Sequence, residues 1–319
     1  MAHIRQMSSN DLNLVNALLS RAFTQGRVDD GYMHSHVPLC QTDFLKWYYN
    51  QNPEGCFVLE HESQCRGAAF THLWGDTGWF GPLAIAPERH LTGLGKQLLL
   101  HCIRYLKMKE CKTIGLETNP RSKRNIGFYG RMGFVPSLFS VDMMCSLSMA
   151  KIPVTPPHQT IRYSRLSEKD RNEMRVRIQR LTAQIDPGAS YTEFIKQTDA
   201  SRTGDTLMFI FKSAPVGFCV MQNTPTTVEE NRAIMRTIVF AAHPQTPEEY
   251  LRYMIKDIEM YGKEMNLYRH LIRIPFYTPR LFQLLLKMDY RVINTDMRMI
   301  VDGYPEQVKS NAIYANRWV

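Results

Sequence analysis

The chain has no C-x-x-C pair, no Lys or Arg run longer than two, and no charge-free apolar run long enough to span a bilayer. The first absence argues against a thioredoxin-type redox site and a zinc ribbon. The second argues against a basic arm for nucleic acid. The third removes a membrane-spanning helix. The opening stretch MAHIRQMSSNDLN is polar within ten residues and lacks the apolar core of a secretory signal. With 18 Gly and 17 Pro among 319 residues, usage is close to average, which excludes collagen-like and low-complexity chains. Apolar residues make up 44% and charged residues 22%, so enough apolar side chain is present to build a core. Seven Cys without a signal segment read as reduced thiols in the cytoplasm.

What is present divides unevenly. At roughly 150 residues per domain, the length predicts two domains. The net charge of +9 is spread over both halves: residues 1–150 hold 15 of the 39 Lys+Arg and 12 of the 30 Asp+Glu. Gly is not spread: 13 of 18 lie in residues 1–150, as do six of the seven Cys. Backbone that turns tightly or approaches a ligand closely needs Gly, so the first half is where a site is expected. His34, His36 and Cys40 stand near one another, but no fourth ligand stands at zinc spacing, and no metal is expected. Pro153, Pro156 and Pro157 predict an extended linker over 151–159. The expected division is therefore 1–150, the linker, 160–303, and a tail over 304–319 whose role the sequence leaves open.

Apolar periodicity predicts a strand at 3–7 and a helix capped by Ser9 or Asn10 with Leu12, Val15, Leu18, Leu19 and Phe23 on one face. A second helix follows at 41–50, then strands at 55–61, 66–74 and 79–86. A helix from Gly93 to about Met108, a strand at 112–118, a short helix at 122–132 and a strand at 133–147 complete a mixed α/β domain.

The segment from Leu83 to Lys96 is a strand, a Gly-bearing turn and the start of a long amphipathic helix. Physically this is an anion site. The first amides of a helix lack intrahelical acceptors, and the dipole adds partial positive charge there. Gly93 and Gly95 leave room for a diphosphate, and Arg89 and Lys96 lie close in sequence. The dinucleotide pattern G-x-G-x-x-G fails, because only G-x-G is present and it follows the fourth strand. The P-loop pattern also fails, because Gly95-Lys96 is followed by Gln97.

This segment, followed by Asn125-Ile-Gly-Phe-Tyr129-Gly-Arg-Met-Gly133-Phe134, resembles the GNAT superfamily of N-acetyltransferases over about residues 3–147. The resemblance implies that acetyl-CoA lies where the strand ending at Ile85 splays from strand 112–118. The backbone of Leu83, Ala84 and Ile85 would pair with the pantetheine arm. The amides of Leu91, Thr92, Gly93, Leu94, Gly95 and Lys96 would cradle the pyrophosphate, with Asn125 touching the cofactor from the next helix. Tyr129 would protonate the leaving thiolate, and Gly133 would end its helix. His90 stands where the family usually has Arg or Gln. A main-chain cradle survives that exchange, while phosphate affinity could weaken or become pH-sensitive. The general base is open: Glu117, His72, Asp76 and a water chain are the candidates.

Residues 160–303 repeat the order faintly, with strands at 160–165, 205–212, 215–223, 232–241, 268–274 and 290–301 and helices at 247–265 and 279–288. This half resembles a second fold of the same type without its chemistry. No Gly stands in the cradle, Glu248 and Glu249 occupy the helix start, and Leu285 takes the position of Tyr129. The expected fold is two tandem acyl-CoA N-acyltransferase-like domains, each a mostly antiparallel sheet with a splayed central strand pair flanked by helices. The expected function is acetyl transfer from acetyl-CoA to a primary amine of a small molecule or peptide by direct attack. The alternative is a non-catalytic acyl-CoA-binding sensor or scaffold. No nucleic-acid or membrane partner is expected, and the acceptor and oligomeric state stay open.

Overall fold

The computed structural model describes residues 2–90, 92–147, 158–230, 234–276 and 278–317. The N-terminal half runs β1 (His3–Gln6), α1 (Leu12–Asp29), α2 (Thr42–Asn50), β2 (Cys56–His61), β3 (Gln64–Trp74), β4 (Thr77–Ile85), α3 (Leu94–Met108), β5 (Thr113–Thr118), α4 (Lys123–Arg131) and β6 (Phe134–Ser146). The C-terminal half runs β7 (Gln159–Arg162), α5 (Glu168–Ile185), α6 (Thr192–Ala200), β8 (Gly204–Phe211), β9 (Ala214–Gln222), β10 (Ile234–Ala242), α7 (Glu248–Glu264), β11 (Arg269–Pro275), α8 (Pro279–Lys287), β12 (Arg291–Val301) and β13 (Ile313–Asn316). Most of the predicted linker falls at 151–157, outside the described residues.

The sequence reading passed over α5, α6 and β13. Helix α5 is mostly charged or polar outside its buried stripe of Met174, Ile178, Leu181 and Ile185. Its usable signal was the start: Ser167 accepts from the Asp170 amide at 3.3 Å.

All described strands form one sheet, in the order β1-β2-β3-β4-β5-β12-β6-β11-β10-β9-β8-β7, with β13 paired to β10. The last long strand of each half has changed sides. Strand β12 lies between β5 and β6, pairing Arg298 with Glu117 and Thr295 with Val141. Strand β6 pairs in turn with β11, Asp142 opposite Arg273. Neither half therefore completes its own sheet.

Alternation along the strands sends side chains to two faces. On one face Val58, Ala68, Phe70 and Ala84 pack under α1 and α2 in a core that runs on under α5 and α6. The ring of Trp47 meets Phe194 edge-on at 5.6 Å between centroids, which joins α2 to α6 across the halves. On the other face Phe57, Leu59, Ala69 and Ile85 pack under Leu94, Leu98 and Cys102 of α3. Helices α7 and α8 cover the corresponding face of the second half.

Candidate active site

Strands β4 and β5 run parallel and pair only at Thr77–Thr113, Gly78–Ile114 and Trp79–Gly115. Beyond Trp79 they part. Strand β4 continues to Ile85 held by β3 alone, and β5 continues to Thr118 held by β12. One edge of Phe80–Ile85 is thus left without a strand partner among the described residues, a place where an extended ligand can add as a strand.

Helix α3 starts beside this gap. Gly93 is its N-cap, with φ +84°, a left-handed conformation that favours Gly. A Cβ there would meet nothing within 4 Å, so the requirement is conformational. The Leu94, Gly95 and Lys96 amides that follow are first-turn donors without helical acceptors. Thr92 donates to the Arg89 carbonyl at 2.6 Å and fixes the turn, while Leu91 lies outside the described residues. Lys96 is exposed, whereas Arg89 is drawn into a pair with Glu62.

His90 Nε2 stands 3.2 Å from the Ile85 carbonyl, and Nδ1 3.4 Å from Arg124. The ring therefore ties the end of β4 to the start of α4. Arg124, which the sequence reading did not single out, also pairs with Asp29 at 2.5 Å. It brings a guanidinium to the same rim, partly offset by Asp29.

Tyr129 and Asn125 are half-buried on α4. The Tyr129 ring packs on Phe128 and edge-on to Phe134, at 5.3 and 5.8 Å between centroids. Burial pushes its hydroxyl up to about 12, so it carries its proton at neutral pH. No hydrogen bond reaches that hydroxyl among the described residues. Gly133, with φ +85°, turns the chain out of α4.

On the α1–α2 face of the sheet, a cavity of about 300 Å³ opens against the same gap. Leu19, Phe44, Tyr48, Trp79 and Phe80 make its apolar wall, and Gly81, Pro82, Thr118 and Asn119 make its border with the parted strands. Its polar end is Glu117, Arg273 and Asp296, brought together from β5, β11 and β12.

The three remaining sequence candidates for a base fall in different places. Asp76 lies in the turn after β3, where it pairs with Lys112 at 2.8 Å, and it does not line the cavity. His72 is 2% exposed, its ring 4.4 Å from that of Tyr48 and stacked on Trp74. Burial lowers it to about 4. Its Nε2 stands 3.3 Å from the Gly81 carbonyl, which also accepts from Tyr48 at 2.7 Å.

Glu117 lies within the cavity but is heavily engaged. It accepts from Ser140 at 2.9 Å, from Arg298 at 3.0 Å, and from Arg273. Burial alone would raise its carboxyl. The guanidiniums of Arg273 and Arg298 outweigh that and hold it below the usual range. Asp142 accepts both Nε and Nη2 of Arg273, at 2.8 and 2.7 Å.

Asp296 was missed. Its neighbours are Arg273 at 2.6 Å and Asn294 at 3.1 Å, both on Oδ2. Burial raises its carboxyl against the pull of Arg273, and Glu117 and Asp142 raise it further. No local signal marks it, because only the strand exchange brings β12 to the gap.

The corresponding gap in the second half is filled. Strands β10 and β11 pair in parallel from Ile234–Arg269 to Thr237–Ile272, as β4 and β5 do. Beyond that, β13 pairs antiparallel with Val239–Ala242. The tail that the sequence left open thus lies as a strand in the position where the first half has its gap. At the start of α7, Glu248 pairs with Lys287 at 2.9 Å.

Among the described residues no helix is long and apolar enough to cross a membrane, and no group of three metal-ligating side chains is gathered. His36 instead faces Glu229 at 3.2 Å.

Residues 14–134 match the acetyltransferase (GNAT) family. No curated protein sequence matches the chain. Among solved structures, a tandem GNAT protein from the clavulanic acid biosynthesis pathway superposes with a TM-score of 0.64 at 12% identity, over 96% of this chain and all of that one (100%). A GCN5-related N-acetyltransferase from Sphaerobacter thermophilus gives 0.65 at 10% identity, over 97% and 98% of the two chains. One from Anabaena variabilis gives 0.58 at 12% identity, over 94% and 72%. At these identities the superpositions speak for the fold, and the family match for the first half. Residues 14–134 are thus similar to the GNAT family of acetyltransferases, and the chain as a whole has the fold of a tandem GNAT protein.

Proposed function

We propose that the protein moves an acetyl group from acetyl-CoA to a primary amine, in a ternary complex, with residues 1–150 holding the cofactor and residues 160–303 completing the acceptor pocket. The single observation that carries this reading is the gap. Strands β4 and β5 part between the open helix start of α3 and a largely apolar cavity on the other face of the sheet.

In this reading the pyrophosphate is held by the amides of Leu94 to Lys96, preceded by the turn of Thr92 and Gly93. Asn125 and the basic rim at Arg124 stand beside it. The pantetheine arm pairs with the free edge at Leu83, Ala84 and Ile85. The acceptor nitrogen attacks from the cavity side, and Tyr129 supplies a proton to the departing thiolate. No cysteine lines the first turn of α3, and Cys40 is the cysteine that borders the cavity, its thiol raised by burial. A raised thiol is a poor nucleophile, which favours direct transfer over an acyl-enzyme. All seven cysteines are free, which fits a cytoplasmic protein.

The test is thiol release from acetyl-CoA across a panel of aliphatic, aromatic and amino-acid amines. Release above background hydrolysis with at least one amine is expected. Calorimetric binding of acetyl-CoA with no release from any amine would instead favour the sensor or scaffold.

A further inference from the structure

We propose that Asp296, delivered by the exchanged strand β12, binds the ammonium of the acceptor and takes its proton, and that the acceptor is a primary amine on an aromatic or similarly flat apolar body. This deepens the transferase reading and rests on it.

The cavity has one chemistry at each end. Phe44, Tyr48, Trp79 and Phe80 present ring surface with Leu19 among them, a lining that takes a flat apolar group. The charged side chains on the lining are Glu117, Asp296 and Arg273, two negative and one positive, a net of −1 that suits a cation. Arg273 is not available to an anionic group, because its donors go to Asp142, Glu117 and Asp296. Glu117 is likewise spent on Arg273, Arg298 and Ser140. Asp296 differs: Arg273 and Asn294 both meet it at Oδ2, and Oδ1 has no partner among the described residues. A free carboxylate oxygen beside a desolvated ring wall is what an alkylammonium requires.

Register puts it at the right height. Met297 pairs with Thr118, so Asp296 stands beyond the last paired residue of β5, beside Asn119 at the mouth of the gap. The groups facing it are Arg273 on β11, Glu117 on β5, Asp142 and Ser140 on β6, and Arg317 after β13, whose positive charge works against the rise. A carboxyl raised by burial is also a stronger base than an exposed one.

The step balances. Asp296 Oδ1 accepts one proton from R-NH3+ and becomes a carboxylic acid. The free amine then adds to the thioester carbonyl carbon. The carbon–sulfur bond breaks with its electron pair on sulfur, and Tyr129 donates its proton to that thiolate. The amide nitrogen releases its second proton through water to the Tyr129 phenolate, and Asp296 returns its own to solvent.

The experiment uses the full-length protein saturated with CoA, titrated calorimetrically with phenethylamine and, separately, with phenylpropionate. Phenethylamine is expected to bind and phenylpropionate is not. Asp296→Asn should weaken phenethylamine at least about tenfold, roughly one charge-assisted hydrogen bond. Asp296→Glu should retain most of the affinity. Unchanged CoA affinity in both variants shows that the fold persists. With acetyl-CoA in place, Asp296→Asn should lower kcat/KM by about 100-fold or more and remove the acid limb of its pH profile. Equal binding of phenethylamine by wild type and Asp296→Asn, or equal binding of the amine and the acid, overturns the assignment. Equal thiol release by wild type and Asp296→Asn keeps the transferase and removes Asp296 from it. Asp296-dependent phenethylamine binding with no thiol release in any variant removes the transferase reading and, with it, the proton step.

Discussion

Arg298, wholly buried on a strand from the C-terminal half, donates from Nε to Glu117 Oε1 at 3.0 Å in the N-terminal half. The same guanidinium reaches Glu306 at 2.7 Å and Asn316 at 2.7 Å, and lies 5.6 Å from the centre of the Trp79 ring. It thereby clasps β5, the segment after β12, and β13. Replacing it strands the buried carboxylate of Glu306 and takes from Glu117 one of its two guanidiniums. Arg298→Met is expected to lose about 3–5 kcal/mol of unfolding free energy, read as a lower denaturant midpoint.

Tyr129→Phe keeps the ring contacts with Phe128 and Phe134 and removes only the hydroxyl, which strands no partner among the described residues. Stability and acetyl-CoA affinity should hold, while kcat falls by about 100-fold or more, the usual worth of a positioned acid. Because burial pushes this phenol up to about 12, the wild-type rate should show no loss from Tyr129 ionisation below about pH 10. A pH profile of kcat checks both statements.

Gly93→Ala should cost about 1–2 kcal/mol, because an L side chain is forced into the left-handed region at φ +84°. The added methyl meets nothing in the protein, so the loss is not a packing clash. Acetyl-CoA affinity should fall about tenfold or more if one phosphate contact is lost. Gly95→Ala separates the two effects. Its Cβ would sit at ordinary distances, 3.5 Å from Ile85 and 3.7 Å from Phe128, so stability holds and only cofactor affinity drops.

His72 and His270 are buried and neutral, lowered to about 4 and about 3. The unfolded chain takes up a proton at each below about pH 6.5, whereas the folded chain does not. Stability is therefore full above that pH and falls as pH drops toward the folded values. Between pH 7.5 and 5 the expected loss is about 2 kcal/mol per histidine. His72→Gln, which keeps a donor for the Gly81 carbonyl, should flatten the dependence by about half in paired denaturation curves.

Ending the chain at Asn311 removes β13. That bares the Val239–Ala242 edge of β10, takes Asn316 from Arg298, and takes Tyr314 from Tyr191. A lower melting temperature and self-association on size exclusion are expected, since an unpaired edge recruits other strands.

What could be read in the sequence was local. Gly93, Gly95 and the Asn125–Phe134 run carry turn and helix-start signals within a few residues, and periodicity places the helices that bury Leu98, Leu99 and Cys102. Strand β12 was legible as a strand, but propensity says nothing about a partner, and its neighbours Glu117 and Val141 lie more than 150 residues away. Asp296 and Arg273 were invisible as site residues for that reason. Helix α5 was hidden by its charge, and β13 by its brevity. Glu117 and His72 were visible as titratable side chains on the right strands. Their partners, two buried guanidiniums in one case and an aromatic cluster in the other, belong to tertiary structure.

The exchange of β6 and β12 also sets an order of events during synthesis. Strand β5 has no partner on its far side until residues 291–301 have left the ribosome, and β6 has none until β11 has followed it. The half that carries the acetyltransferase motifs must wait, with an open edge, for nearly the whole chain. Fragments ending near residue 150 inherit that unfinished sheet, with β5 and β6 edges open to mispairing.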